Sequence, residues 1–292
     1  MPNPARQTES SRCHNLLLPM VLDRGGKRLF IRLVLTLTIV TISLHPAWAR
    51  LQEGYDAVSR GDKEQALQEL RTRAEGGNAR AQVVIGILYA EGRGVPKDEQ
   101  ESVRWYKLAA AQGEAKAQRR VGYHYAVGRG APQDYKEAVR WYRLAAEQGD
   151  ADAQYNMGYL YDSGQGVPQD FKEAREWYER AALQGEAGAQ LNLGVLYHNG
   201  EGTPQDFKQA RKWFELAAAQ GEALAKGKLG VIYQGGEGVP QDYVQAHKWY
   251  NLAAADGSKD AAVLRDKLAT SMSSAQIETA KRLAREWKPG AP

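Results

Sequence analysis

The sequence predicts an all-α protein, a right-handed α/α superhelical solenoid of stacked helix pairs. Three sets of landmarks predict it. Gly86, Gly122, Gly158, Gly194 and Gly230 recur every 36 residues, and so do Tyr89, Tyr125, Tyr161, Tyr197 and Tyr233. Trp105, Trp141, Trp177, Trp213 and Trp249 keep the same period. Self-similarity at a period of roughly 20–50 residues marks a repeat array. Five gap-free copies fill 78–113, 114–149, 150–185, 186–221 and 222–257. A helix pair of this size cannot bury its apolar faces alone, but a stack of pairs can. The chain of 292 residues is therefore read as one array rather than two globular domains.

Residues 1–49 read as a signal peptide. Arg24-Gly-Gly-Lys-Arg28 is a basic start, Leu29–Leu44 is an apolar run broken by Arg32 and a few Thr and Ser, and Ala47-Trp48-Ala49 fits the small-x-small cleavage rule. Met20 is an alternative true start, because Met20–Ala49 is a complete signal by itself. The stretch Leu33–Leu44 is short for a bilayer span. The expectation is an exported chain, periplasmic or secreted, cleaved near Ala49-Arg50 and without a membrane span in its mature part. Residues 50–77 follow as an N-terminal helix pair, in which Gly61-Asp62, Ala66, Leu70, Ala74 and Gly77 match the second half of a repeat.

Within a repeat, helix A carries Ala151, Ala153, Gln154, Met157, Gly158 and Tyr161 at helical spacing. A mid-helix Gly costs about 1 kcal/mol relative to Ala. Its return in every copy implies that another helix approaches closely there. Gly164-Gln165-Gly166 offers a left-handed helix end, and Val167-Pro168 blocks continuation. Helix B starts at Asp98, Asp134, Asp170, Asp206 and Asp242, each followed three residues later by Glu or Gln, the spacing of a capping box. Its stripe of Ala138, Trp141, Tyr142, Ala145 and Ala146 reads as core, and it ends at Gly149. In 258–288, Lys259–Ala269 and Ala275–Trp287 form a divergent pair whose polar surface suits the capping that array ends require. Residues 289–292 are a tail.

The run Ala151-x-Ala153-Gln154, Gly158, Tyr161, Gly164-x-Gly166-Val167, Asp170, Ala174, Trp177-Tyr178, Ala181-Ala182 and Gln184-Gly185 resembles the Sel1-like repeat of the tetratricopeptide-repeat-like superfamily. The resemblance covers 78–257 fully and 51–77 loosely. It implies an adaptor for protein complexes, with one face of helix A lining the concave side of the superhelix. It also implies, from secreted bacterial members, a place in envelope assembly, cell-wall or polysaccharide machinery, or host contact. Cysteine-rich secreted members are linked to β-lactam binding or weak hydrolysis. They carry paired Cys in each repeat, whereas the single Cys here is Cys13, within the leader. No Ser is followed by Lys three residues later, so the acylation motif of penicillin-recognising enzymes is missing.

Other chemistry is thin. The 39 basic and 35 acidic residues give +4, but six basic and two acidic residues lie in 1–49, leaving 33 of each sign over 50–292. A neutral chain offers no global attraction to nucleic acid. His124, His198 and His247 occupy three different repeat positions and read as single substitutions on solvent-exposed or groove positions, not as a metal or acid–base set. Gly92-Arg93-Gly94 follows a helix and lacks both the third Gly of a dinucleotide fingerprint and the Gly-Lys-Ser/Thr of a phosphate loop. Glu173 and Glu176 share one solvated face with Arg175 and do not face each other across a cleft. No catalytic, cofactor or metal residues are assigned.

The variable positions 3, 6, 10 and 13 of helix A share one face. They give Arg80, Val83 and Ile87 in copy one, then Lys116, Arg119 and Tyr123, then Asp152, Tyr155, Tyr159 and Asp162, and finally Leu191, Val195 and His198 in copy four, with Leu224 and Val231 in copy five. The expected groove is basic at its N-terminal end, aromatic in the middle and aliphatic beyond, and suits an extended peptide or partner helix. The leading reading is a non-enzymatic protein–protein interaction scaffold of the bacterial envelope or extracellular space. The alternatives are a weak β-lactam- or peptidoglycan-active enzyme and a non-catalytic cell-wall glycan binder.

Overall fold

The computed structural model describes residues 63–290. The expected leader, the Met20 start, the cleavage point and the first half of the 50–77 pair lie outside the described residues. Among the described residues there are 13 helices and no strand. Helix α1 (Lys63–Glu75) precedes the array. The A helices are α2 (Ala79–Glu91), α4 (Ala115–Val127), α6 (Ala151–Ser163), α8 (Ala187–Asn199) and α10 (Ala223–Gly235). They alternate with the B helices α3 (Glu99–Ala111), α5 (Tyr135–Glu147), α7 (Phe171–Leu183), α9 (Phe207–Ala219) and α11 (Tyr243–Ala255). The capping pair is α12 (Lys259–Ala269) and α13 (Ser274–Glu286).

Each B helix starts as its Asp dictates. Asp134 accepts from the backbone N–H groups of Lys136 and Glu137 at 2.9 and 3.1 Å. The reciprocal arm of a capping box is not used in the repeats. The N–H of Asp134 instead donates to the carbonyl of Tyr125 at 2.9 Å, and Asp98, Asp170, Asp206 and Asp242 do the same to the equivalent Tyr. That bond ties the start of helix B to the end of helix A. It frees Glu137 to pair with Arg140 on the surface. Among the described helices, a complete capping box closes only the start of α13, between Ser273 and Gln276.

The core is a series of layers, not one centre. Ala174, Tyr178, Ala181 and Ala182 of α7 pack with Ala189, Leu193 and Leu196 of α8 and with Trp213 of α9. The same layer recurs along the array. The mid-helix Gly has the packing reason its recurrence implies. A Cβ on Gly158 would stand 2.5 Å from Cδ1 of the buried Tyr178, and Gly86, Gly122, Gly194 and Gly230 face the equivalent ring just as closely. The second Gly of the turn joins neighbouring repeats: at Gly166 (φ +76°) a Cβ would lie 2.4 Å from the carbonyl oxygen of Tyr135, one repeat back.

A polar ladder runs through these layers. Gln154 is buried; its Nε2 donates to the carbonyl of Ala146 in the preceding repeat at 3.0 Å, and its Oε1 accepts from Gln184 at 2.7 Å. Gln82, Gln118 and Gln190 repeat both bonds. Copy five breaks the pattern in a coordinated way. Lys226 and Asp256 replace the two Gln and form an ion pair, with the lysine Nζ 4.8 Å from the centre of the Trp287 ring. Trp287 also meets Trp249 edge-on at 5.7 Å. The capping pair is thereby seated on the last repeat.

Two His residues do not sit where the sequence placed them. His124 and His247 are buried, not exposed or in a groove. Nδ1 of His124 lies 2.8 Å from the carbonyl oxygen of Arg129, closing the loop after α4, and its ring contacts those of Tyr106 and Tyr123. Burial pushes the pKa of both His down.

Candidate protein-binding groove

Helix A presents two faces for a simple periodic reason. In α6, Ala153, Gln154, Met157, Gly158 and Leu160 turn inward. Asp152, Tyr155, Tyr159 and Asp162 then fall on the outer side, and so do their counterparts in the other repeats. Lys116, Tyr123, Asp152 and Tyr159 are exposed; Arg80, Ile87, Arg119, Tyr155, Asp162, Leu191, Val195 and His198 are half-buried. Tyr159 keeps 47% of its surface open and Leu224 64%.

Val83 is the correction. It is buried with Ala109, Ala117 and Val121 and belongs to the core, not to an open groove. Position 6 faces the next A helix, as Tyr155 does, which a Cβ on Gly188 would approach to 3.1 Å. A Val is too short to reach past that neighbour, so the stack covers it.

The basic end is smaller than the sequence suggests. Arg119 is not an unpaired cation: it bridges Asp150 at 3.1 Å and Asp152 at 3.2 Å, locking copy two to copy three. His198 is similarly committed, its Nε2 2.8 Å from Glu237 of the next repeat and its ring 5.3 Å from Phe207. Leu191 and Val195 are open on one side while they pack on the Phe214–Leu229–Trp249 layer.

The centre is the most developed part. The Tyr178 hydroxyl donates to Asp162 at 3.2 Å and accepts from Asn192 at 3.0 Å. The rings of Tyr155 and Tyr178 lie 5.9 Å apart, tilted by 42°. Burial pushes the Tyr155 phenol up, reinforced by Glu186. Burial, opposed by the Tyr178 hydrogen bond and reinforced by Glu201, holds the Asp162 carboxyl above the usual aspartate range. The sequence assigned Tyr178 to the core and passed over Asn192. The signal for their role was the pairing of positions 13 and 29: a polar side chain at 13 meets a Tyr hydroxyl at 29, as Gln234 also meets Tyr250 at 2.7 Å. Copies one and two have Ala90 and Ala126 there, which hides the rule.

A shallow depression of about 570 Å³ lies elsewhere, where the Gly128–Pro132 loop packs on the start of α3 beside Lys97, Asp98 and Glu99. It is the inter-repeat turn contact and holds no nucleophile set against a base. Among the described residues, no three His, Cys, Asp or Glu are grouped to hold a metal ion, and no helix is long and apolar enough to cross a membrane.

A family model, the Sel1 repeat, matches residues 79–114, 115–150, 151–186, 187–222 and 223–258, the sequence-derived period shifted by one residue. The fold is similar to that of a protective antigen present in uropathogenic Escherichia coli strains, which displays an SLR fold. That match has a TM-score of 0.71 at 34% identity over 85% of this chain, and the chain spans only 55% of that protein's length. It is also similar to a Sel1 repeat protein from Oxalobacter formigenes, with a TM-score of 0.66 at 33% identity, covering 81% of this chain and 99% of the other. Curated proteins gave no match.

Proposed function

The chain belongs to the Sel1-repeat family, whose fold generally serves as a protein-interaction scaffold, and on that premise we propose that it is a non-enzymatic adaptor that captures an extended peptide or helix of a partner protein along the variable face of its A helices, in the concave groove of the solenoid. The observation that carries this reading is the contrast between the two faces of helix A. One is buried with repeat-to-repeat uniformity, while the other varies in every copy and keeps Tyr123, Tyr159, Leu224 and Val231 exposed. Aligned apolar and aromatic groups on one open face are a feature of binding surfaces. The basic, apolar and small-residue order of 1–49 supports export, and with it an adaptor working in the periplasm or outside the cell.

The test is crosslinking from position 159 in living cells, followed by mass spectrometry of the captured protein. Tyr155→Ala combined with Tyr159→Ala should abolish capture while the far-ultraviolet circular dichroism stays that of a helical array. Undiminished capture by the folded double variant would overturn the groove reading.

A further inference from the structure

The centre of the groove is more specific than a generic peptide surface. Three tyrosines and a carboxylate of the third repeat converge there, and Asn192 of the fourth reaches in at the junction. Tyr155, Tyr159 and Asp162 come from α6, Tyr178 from α7 and Asn192 from α8. Asn192 and Tyr178 hold one Asp162 oxygen in place through the 3.0 and 3.2 Å bonds, and among the described residues that is the only hydrogen bond to this carboxylate. Glu186, Glu201 and Glu222 surround the same stretch, close enough to act on Tyr155 or Asp162. Among the described residues, no Lys, Arg or His forms an ion pair with any of these four acids. The nearby Arg119 is already held by Asp150 and Asp152.

We propose, building on the groove reading, that this junction is a subsite for a Lys or Arg side chain of the partner, with the cation against the Asp162 carboxylate and its stem along the Tyr155 and Tyr159 rings. Aromatic faces attract cations and pack their aliphatic stems. A carboxylate held above its usual pKa by burial is relieved by an incoming positive charge. The subsite also sets a pattern. The next groove section, Leu191, Val195 and Leu224, is aliphatic. Packed helices lie about 10 Å apart, roughly three residues of extended chain. The partner segment therefore carries a basic residue with an apolar residue about three positions away.

The test is selection of random 12-residue peptides displayed on phage against the immobilised full chain, followed by fluorescence anisotropy of the best synthetic peptides. Lys or Arg should be enriched with an apolar residue at that spacing. Affinity should fall about tenfold on Asp162→Asn, as expected for loss of one charge-assisted contact. That variant keeps an acceptor for Tyr178, and Tyr159→Ala gives a second measure at an exposed position. Peptides without basic enrichment, or equally tight on Asp162→Asn, that are still lost on Tyr155→Ala with Tyr159→Ala would sink the cation subsite and leave the groove standing. Failure to select peptides, or selection of peptides indifferent to all of these variants, would sink both.

Discussion

Replacing Gly158 by Ala pits two effects of opposite sign against each other. Helix propensity alone makes the change stabilising by about 1 kcal/mol. The structure says otherwise. The new methyl would stand 2.5, 2.7 and 2.9 Å from three carbons of the Tyr178 ring, where contact carbons sit about 3.5–4.0 Å apart. The ring would have to retreat by about 1 Å. It has little freedom to do so, being fully buried, tied through its hydroxyl to Asp162 and Asn192, and backed by Tyr155. Overpacking of this kind costs about 1–3 kcal/mol. With the propensity gain set against it, the expected net loss is about 0–2 kcal/mol. Gly227 in α10 is the matched control, since a methyl there meets nothing within 4 Å. Gly227→Ala should stabilise by up to about 1 kcal/mol. Urea titrations followed by circular dichroism compare the two. A Gly158→Ala midpoint that rises alongside that of Gly227→Ala would refute the packing account of the recurrent glycine.

Two further outcomes follow from buried polar groups. Asp256→Gln leaves the Lys226 ammonium, whose side chain is 4% exposed, facing only a ring. Breaking a buried pair costs about 3–5 kcal/mol, and with Asp256 itself 37% exposed the lower end or below is expected. Adding Lys226→Gln rebuilds the pairing of copies one to four and should return the urea midpoint close to the parent; a double variant weaker than the single one would contradict this. His124 and His247 have folded pKa values below the unfolded value of about 6.5. Their contribution to stability is complete above that unfolded value and is lost as pH falls from it through the folded values. The midpoint should drop between pH 7.5 and pH 5.5, and His247→Phe should shrink the drop, a change readable in paired urea titrations.

The array was legible because its landmarks do one job each at one position. The period, the Asp that starts helix B and the Gly beneath the Tyr ring all follow from local chemistry repeated in copies. What escaped reading depends on the neighbouring repeat. Val83 lies on the variable face by helical phase, yet α4 covers it. His124 and His247 read as surface substitutions because nothing in their own helix shows what packs above them. Arg119 counted as part of a basic end, but its two carboxylate partners, Asp150 and Asp152, belong to the next copy. The groove was thus traceable as a list of positions. Its acidic centre was not, because Asp162 gains its meaning only from Tyr178 on the partner helix and from Asn192 across a repeat boundary.

The exchange of two Gln for Lys226 and Asp256 gives the array a direction of growth. Copies one to four carry the same polar pair, so a gene duplication or deletion of any one of them leaves every rung intact. Copy five is different: its lysine is roofed by Trp287, and a further helix pair added after it would have to evict that ring. Lengthening is thus open internally and closed at the C-terminal end. An insertion ahead of copy three would carry the acidic centre and the aliphatic stretch together, one unit farther from the N-terminal end of the groove. The reach of the protein could change over evolutionary time by whole repeats, with its last rung fixed.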